Sequence, residues 1–196
     1  IMPLGANKAA IMGVAGVSTG DVVLLSSQTA SNSASLTFSS GIDSTYGEYI
    51  FKFYNINPAT DSTDFQFQAN ATDSTSYDET ITSTAFAAQH AEADDDAALS
   101  YQGGMDQEQG TAYQFLNYDL ANDSDGSLAG ELHLFNPSST TYVKHFIART
   151  HHMFEANYAS QFFVAGYINT TTAIDDIQFK MNSGNFDGTI KMWGVK

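Results

Sequence analysis

Residues 40–61 read SGIDSTYGEYIFKFYNINPATD. A turn-like run at 41–45 gives way to a dense aromatic block at 46–54, and the block stops at Asn57-Pro58. On a strand, side chains alternate between two faces. The odd positions Gly47, Tyr49, Phe51 and Phe53 then form one consistently apolar face, expected in a core. The even positions Tyr46, Glu48, Ile50, Lys52 and Tyr54 form an amphipathic face. That face either carries Tyr46 and Tyr54 as exposed stacking platforms for a sugar or packs under a neighbouring subunit. Pro58 is expected to end a long central strand.

The same two-residue period recurs along most of the chain. Short apolar or alternating runs fall at residues 22–25, 34–38, 65–68, 112–120, 130–135, 142–150, 161–167, 176–181 and 189–195. A Thr-rich run at 79–86 reads as a more exposed strand. Turn residues separate these runs, as in Asn122-Asp-Ser-Asp-Gly126 and Asn136-Pro137. About ten strands at such spacing predict an all-β fold, a jelly-roll-like antiparallel β-sandwich. Residues 87–108 are acidic, Ala-rich and interrupted by Gly103-Gly104, and admit a helix over 87–99 or a long loop. Residues 1–20 are small, Gly- and Ala-rich, and lack a basic leader with a long apolar core. They read as an N-terminal arm for assembly, with residues 21–196 as the β-sandwich domain.

The chain has 196 residues, enough to bury a sizeable core. It has 22 acidic residues against 7 Lys and Arg, a net charge of -15, and no cysteine. That balance opposes nucleic-acid partners, which need clustered cations, and opposes anionic membrane surfaces. No run is long and apolar enough for a membrane-spanning helix. Disulfides, thiolate catalysis and Cys-based zinc sites are excluded.

Metal-binding patterns are weak. Aligning Gly126 with the glycine of an EF-hand loop puts Ala121 and Leu132 where oxygen ligands are required, so Asp123 and Asp125 read first as an acidic turn. Asp94, Asp95 and Asp96 could offer oxygens to calcium, though consecutive carboxylates in a loop are more often solvated. His151 and His152 are adjacent, so on a strand they point to opposite faces and cannot share an ion. His90, His133 and His145 have no ligand spacing around them. The chain does not alternate β and α as a hydrolase with a G-x-S-x-G elbow would, it has no phosphate-binding glycine loop, and no carboxylate pair stands out for glycoside hydrolysis. The reading is therefore non-enzymatic, without a resident cofactor. The single tryptophan, Trp193, shares its strand face with Lys191 and joins Tyr46 and Tyr54 as a candidate ligand contact.

Three segments together carry a resemblance: residues 40–61, GELHLFNPSSTTYVKHF at 130–146, and AGYINTTTAIDDIQFKMNSGNFDGTIKMWGVK at 165–196. They resemble a family of roughly 200-residue virion structural or tail-fibre-like proteins of tailed bacteriophages, marine phages especially. The resemblance implies an exposed β module on the outer surface of a phage particle, and it brings no catalytic residues. The expected partners are further copies of the chain, as a homotrimer, other virion proteins and a host surface glycan. A capsid decoration protein that stabilises the head is the alternative, and a carbohydrate-binding module a further one.

Overall fold

The fold was described from a computed structural model, which describes residues 21–196. The expected N-terminal arm, residues 1–20, lies outside the described residues. Thirteen strands follow one another: β1 Val22–Ser33, β2 Ser35–Phe38, β3 Glu48–Pro58, β4 Phe65–Ala71, β5 Ile81–Ala91, β6 Ala97–Tyr101, β7 Glu108–Gly110, β8 Gln114–Phe115, β9 Leu128–Phe135, β10 Lys144–Phe154, β11 Tyr158–Ile168, β12 Ile174–Met181 and β13 Phe186–Val195. They form two antiparallel sheets. The larger has nine strands in the order β1-β13-β3-β9-β10-β11-β5-β6, with β7 also on β5, and the smaller has the order β2-β12-β4-β8. The all-β sandwich expected from the sequence is the observed architecture, with thirteen strands where the alternation suggested about ten.

The opening segment sits at the centre of the larger sheet, between β13 and β9. Tyr49, Phe51 and Phe53 point inward and are buried, and β3 ends at Pro58. The turn before it is tied down by the same strand. The Tyr49 hydroxyl accepts a hydrogen bond from the Asp43 amide at 2.8 Å and donates to the Asp43 carbonyl at 3.0 Å. Asp43 in turn caps the Thr45 amide at 2.7 Å, a local Asx turn.

Phe179 of β12 is the meeting point of the two sheets. Its ring packs against Phe51 and Phe53 from the larger sheet and against Phe38, Phe65 and Phe67 from its own, with centroids 5.3–6.4 Å apart. Most of these pairs are edge-to-face or tilted, the arrangement that ring quadrupoles favour. Each fully buried ring contributes on the order of 2–3 kcal/mol of transfer free energy, so this cluster is the dominant clamp between the layers.

The structure corrects three expectations. Residues 87–99 are not helical: they form the end of β5, a tight turn and the start of β6. Residues 112–120 hold only the two-residue β8. And β4, whose FQFQ alternation suggests one wet face, is buried at every position. Its second face is covered by the segment that carries β8. Buried amides replace ladder bonds there. Gln68 Nε2 donates to the carbonyls of Glu79, Thr111 and Ala112, and Asn117 Oδ1 accepts from the Phe65 amide at 2.6 Å. Gln114 accepts from Ser83 Oγ at 2.6 Å and donates to the Met105 carbonyl at 2.8 Å. Side-chain amides can take this role because each has two donors and an acceptor.

Candidate functional site

Among the described residues, the outer face of the nine-stranded sheet collects most of the large exposed apolar side chains: Val22, Leu24, Tyr54, Phe86, Leu99, Tyr101 and Ile147. Cross-strand register places five of them in two flanks, with Tyr54 and Ile147 on the strands between. Leu24 sits beside Trp193, and Trp193 beside Ile50, at the β1 end. Phe86 sits between Phe163 and Tyr101 at the β6 end. The Phe86 and Phe163 rings stack at 4.7 Å with only 12° between their planes.

Between the flanks the face is polar and cationic. Lys191, Lys52, Glu131 and Arg149 lie side by side across β13, β3, β9 and β10. Glu131 is the hub: it lies 3.5 Å from the Lys52 ammonium, 3.9 Å from the Arg149 guanidinium and 3.6 Å from His133. Lys52, Lys191 and Arg149 are three of the seven Lys and Arg in the chain, and Arg149 is its sole arginine.

A groove of about 560 Å³ runs beside this row. Lys52 and Tyr54 form one wall, Arg149, His151 and Gln161 the other, and Ala129 lies between them. A backbone irregularity makes the groove. Between Phe53 and Ile56 the register of β3 on β9 slips, so that Tyr54 and Asn55 together oppose Ala129. Asn55 takes a left-handed conformation, φ 51°, as one residue of a bulge does. Both Tyr54 and Asn55 consequently face solvent, and Ile56 returns to the core. The β13 strand accommodates the bulge with Gly188, φ 135°, where a Cβ would fall 2.8 Å from the Asn55 carbonyl oxygen. Gly130 holds β9 tight against β10: a Cβ there would meet the Arg149 carbonyl oxygen at 2.4 Å.

The candidate contacts named from sequence separate in space. Tyr54 lines the groove. Its ring also receives Lys191 at 5.3 Å, from β13, on the other side of β3 from β9. Trp193 lies on the same outer face near the β1 edge, outside the groove, wedged between Leu24 and Ile50. Tyr46 precedes β3 and does not continue its alternation: its ring packs on Tyr49 and over Gly194, on the core side. Tyr46 and Tyr54 therefore cannot form one platform.

The acidic candidates also scatter. Asp94, Asp95 and Asp96 are exposed at the β5–β6 turn, where Asp94 lies 3.3 Å from His90 Nε2 and Asp96 accepts from the Tyr158 hydroxyl at 3.4 Å. Asp123 and Asp125 lie in an exposed turn before β9, closed by a Gly126 amide bond to the Asp123 carbonyl at 3.0 Å. Among the described residues no three His, Asp or Glu side chains gather as a metal cage would require.

His151 and His152 do face opposite ways. His151 is at the groove, whereas His152 is buried and donates from Nε2 to the Tyr118 carbonyl at 2.8 Å. Burial pulls its pKa down to about 4. At the far end of β10, buried Lys144 gives its ammonium to the carbonyls of Tyr142 and Thr170 at 3.2 and 3.0 Å, and burial lowers its pKa too.

Arg149, Glu131 and Gln161 were not singled out by sequence reasoning, and His151 was weighed there only as a metal ligand. The signal for Arg149 and His151 is the alternation of β10, KHFIARTHHMF, whose outward positions hold His145, Ile147, Arg149 and His151. No family model, curated protein or solved structure matches this chain.

Proposed function

We propose that the chain is a non-enzymatic structural module, jelly-roll-like, displayed on the outer surface of a tailed-phage particle in a tail fibre or spike. It would self-associate there as a homotrimer through the two edges of its larger sheet. The observation that carries the assembly reading is the chemistry of those edges. Strand β1 runs for twelve residues, VVLLSSQTASNS, and β6 reads AALSY. Neither contains a charge or a proline, although the chain has 22 acids to spare. Soluble sheets usually blunt open edges with charge, proline or a covering loop. Among the described residues nothing pairs with the outer side of either strand.

Both edges also carry apolar side chains on the same face: Val22 and Leu24 at one end, Leu99 and Tyr101 at the other. Pairing β1 of one copy with β6 of the next is a heterologous contact, and repeating it around an axis closes a ring. The virion placement is supported by the resemblance of residues 40–61, 130–146 and 165–196 to phage structural proteins.

Light scattering and native mass spectrometry test the assembly. Leu99 is 74% exposed, so Leu99→Lys spares the monomer fold. The expected result is a trimer for the unaltered chain and a monomer for the variant. A chain that stays monomeric at high micromolar concentration overturns the edge reading. Electron microscopy of labelled particles tests the placement: label on tails at low copy number is expected. Hundreds of copies on heads would replace the fibre reading with decoration, and absence from particles would end both.

A further inference from the structure

We propose that the groove between Tyr54 and Arg149 is a binding site for an acidic saccharide, a sugar carrying a carboxylate such as a uronic acid. The inference goes beyond the assembly reading and does not depend on it. Size is the first argument. About 560 Å³ lies within the range of small-molecule sites and is on the order of what a disaccharide fills.

The walls supply complementary chemistry. Tyr54 is set out from the sheet by the bulge and 40% exposed, and it offers an apolar ring to the C–H face of a pyranose. The opposite wall offers donors. Arg149 is the only guanidinium in the chain, its side chain is 60% exposed, and among the described residues its one ionic contact is a long one, 3.9 Å to Glu131. Its remaining N–H groups are free to take a carboxylate in the two-pronged geometry that arginine favours. Gln161 and Lys52 add neutral and charged donors for hydroxyls. Glu131, held by Lys52, accepts from hydroxyls, and its charge steers a ligand carboxylate toward Arg149.

Charge sets the selectivity. With Glu131 counted against Lys52 and Arg149 the groove itself is net positive, on a chain whose total is -15. Polyanions meet long-range repulsion from the rest of the molecule, whereas a short acidic sugar feels mainly the local cations. Single-site affinity is expected to be weak, and several copies on one particle would raise it by multivalency.

Isothermal titration of the full chain tests the proposal, with a galacturonic acid trimer, the matching neutral galactose trimer and inorganic phosphate as ligands. The acidic trimer is expected to bind at least tenfold more tightly than either of the others. Tyr54→Ala and Arg149→Ala are each expected to weaken it tenfold or more. Arg149→Lys, which keeps the charge but loses the fork, is expected to weaken it about fivefold. Lys180→Ala, on the smaller sheet, should leave binding unchanged, and unaltered melting temperatures confirm that the variants fold. Failure of the acidic trimer to bind at millimolar concentration overturns the proposal. So does equal binding of the neutral trimer or of phosphate, or acidic binding that survives both Tyr54→Ala and Arg149→Ala.

Discussion

Removing the buried imidazole of His152 should flatten the acid side of the stability profile. His152 lies on the inner face of β10 with no exposed surface, and its Nε2–H is already committed to the Tyr118 carbonyl. Its Nδ1 has no partner among the described residues. Protonation would therefore place both a charge and an unmet donor in the core, and burial holds the pKa near 4 against an ordinary 6.5. The unfolded chain takes up this proton first as pH falls, so stability is intact above about pH 6.5 and drains away down to about pH 4. By linkage the loss is ~2 kcal/mol at about pH 5 and approaches ~3 kcal/mol below the folded pKa. Asp64 and Glu79, whose carboxyls are pushed up mainly by burial, act in the opposite sense. They are present in both proteins and cancel in a comparison. The assay is urea unfolding of the unaltered chain and His152→Gln at about pH 7.5 and pH 5. The stability difference between them should shift by ~2 kcal/mol in favour of the variant on acidification. Parallel profiles, or an NMR titration placing the imidazole near 6.5, would refute the reasoning.

Three further outcomes are expected from the packing. Phe179→Ala should cost about 3–5 kcal/mol in denaturant unfolding, because it opens a hole where rings from both sheets converge. Gly130→Ala should cost about 2–3 kcal/mol and lower the melting temperature, since the added methyl meets backbone atoms of Arg149 and Thr150 that cannot swing aside. Asn117→Ala should cost about 1–3 kcal/mol by stranding the Phe65 amide, and hydrogen exchange at that amide should speed up.

The strongest sequence reading concerned β3 because burial there is one-sided and the alternation is uninterrupted from Glu48 to Phe53. What followed was hidden. The bulge at Tyr54 and Asn55 depends on what β9 and β13 present across the ladder, Ala129 and Gly188, and no local pattern encodes that pairing. The Ala-rich run after Ala85 looked helical by propensity. Its alanines are instead small residues placed beside large ones: Ala85 lies opposite Val164 and Ala87 opposite Phe162 on β11. Tyr54 was legible as an exposed side chain, since a tyrosine on an amphipathic face stands out. Its partners were not, because Arg149, Gln161 and Ala129 come together only through strand order. Tyr46 was misplaced by extending a two-residue period past the end of a strand.

The uncharged edges of β1 and β6 also bear on how the free chain stays dispersed. Edge pairing is indifferent to partner identity, so the contact that would close a ring can equally run on as an open stack. What restrains it is colloidal: fifteen net negative charges keep unassembled chains apart. Acid that neutralises the carboxylates, or salt that screens them, removes that restraint while leaving the edges as sticky as before. On the proposed edge assembly, storage conditions would also be assembly conditions, with low ionic strength near neutral pH holding chains in reserve and acid releasing them indiscriminately.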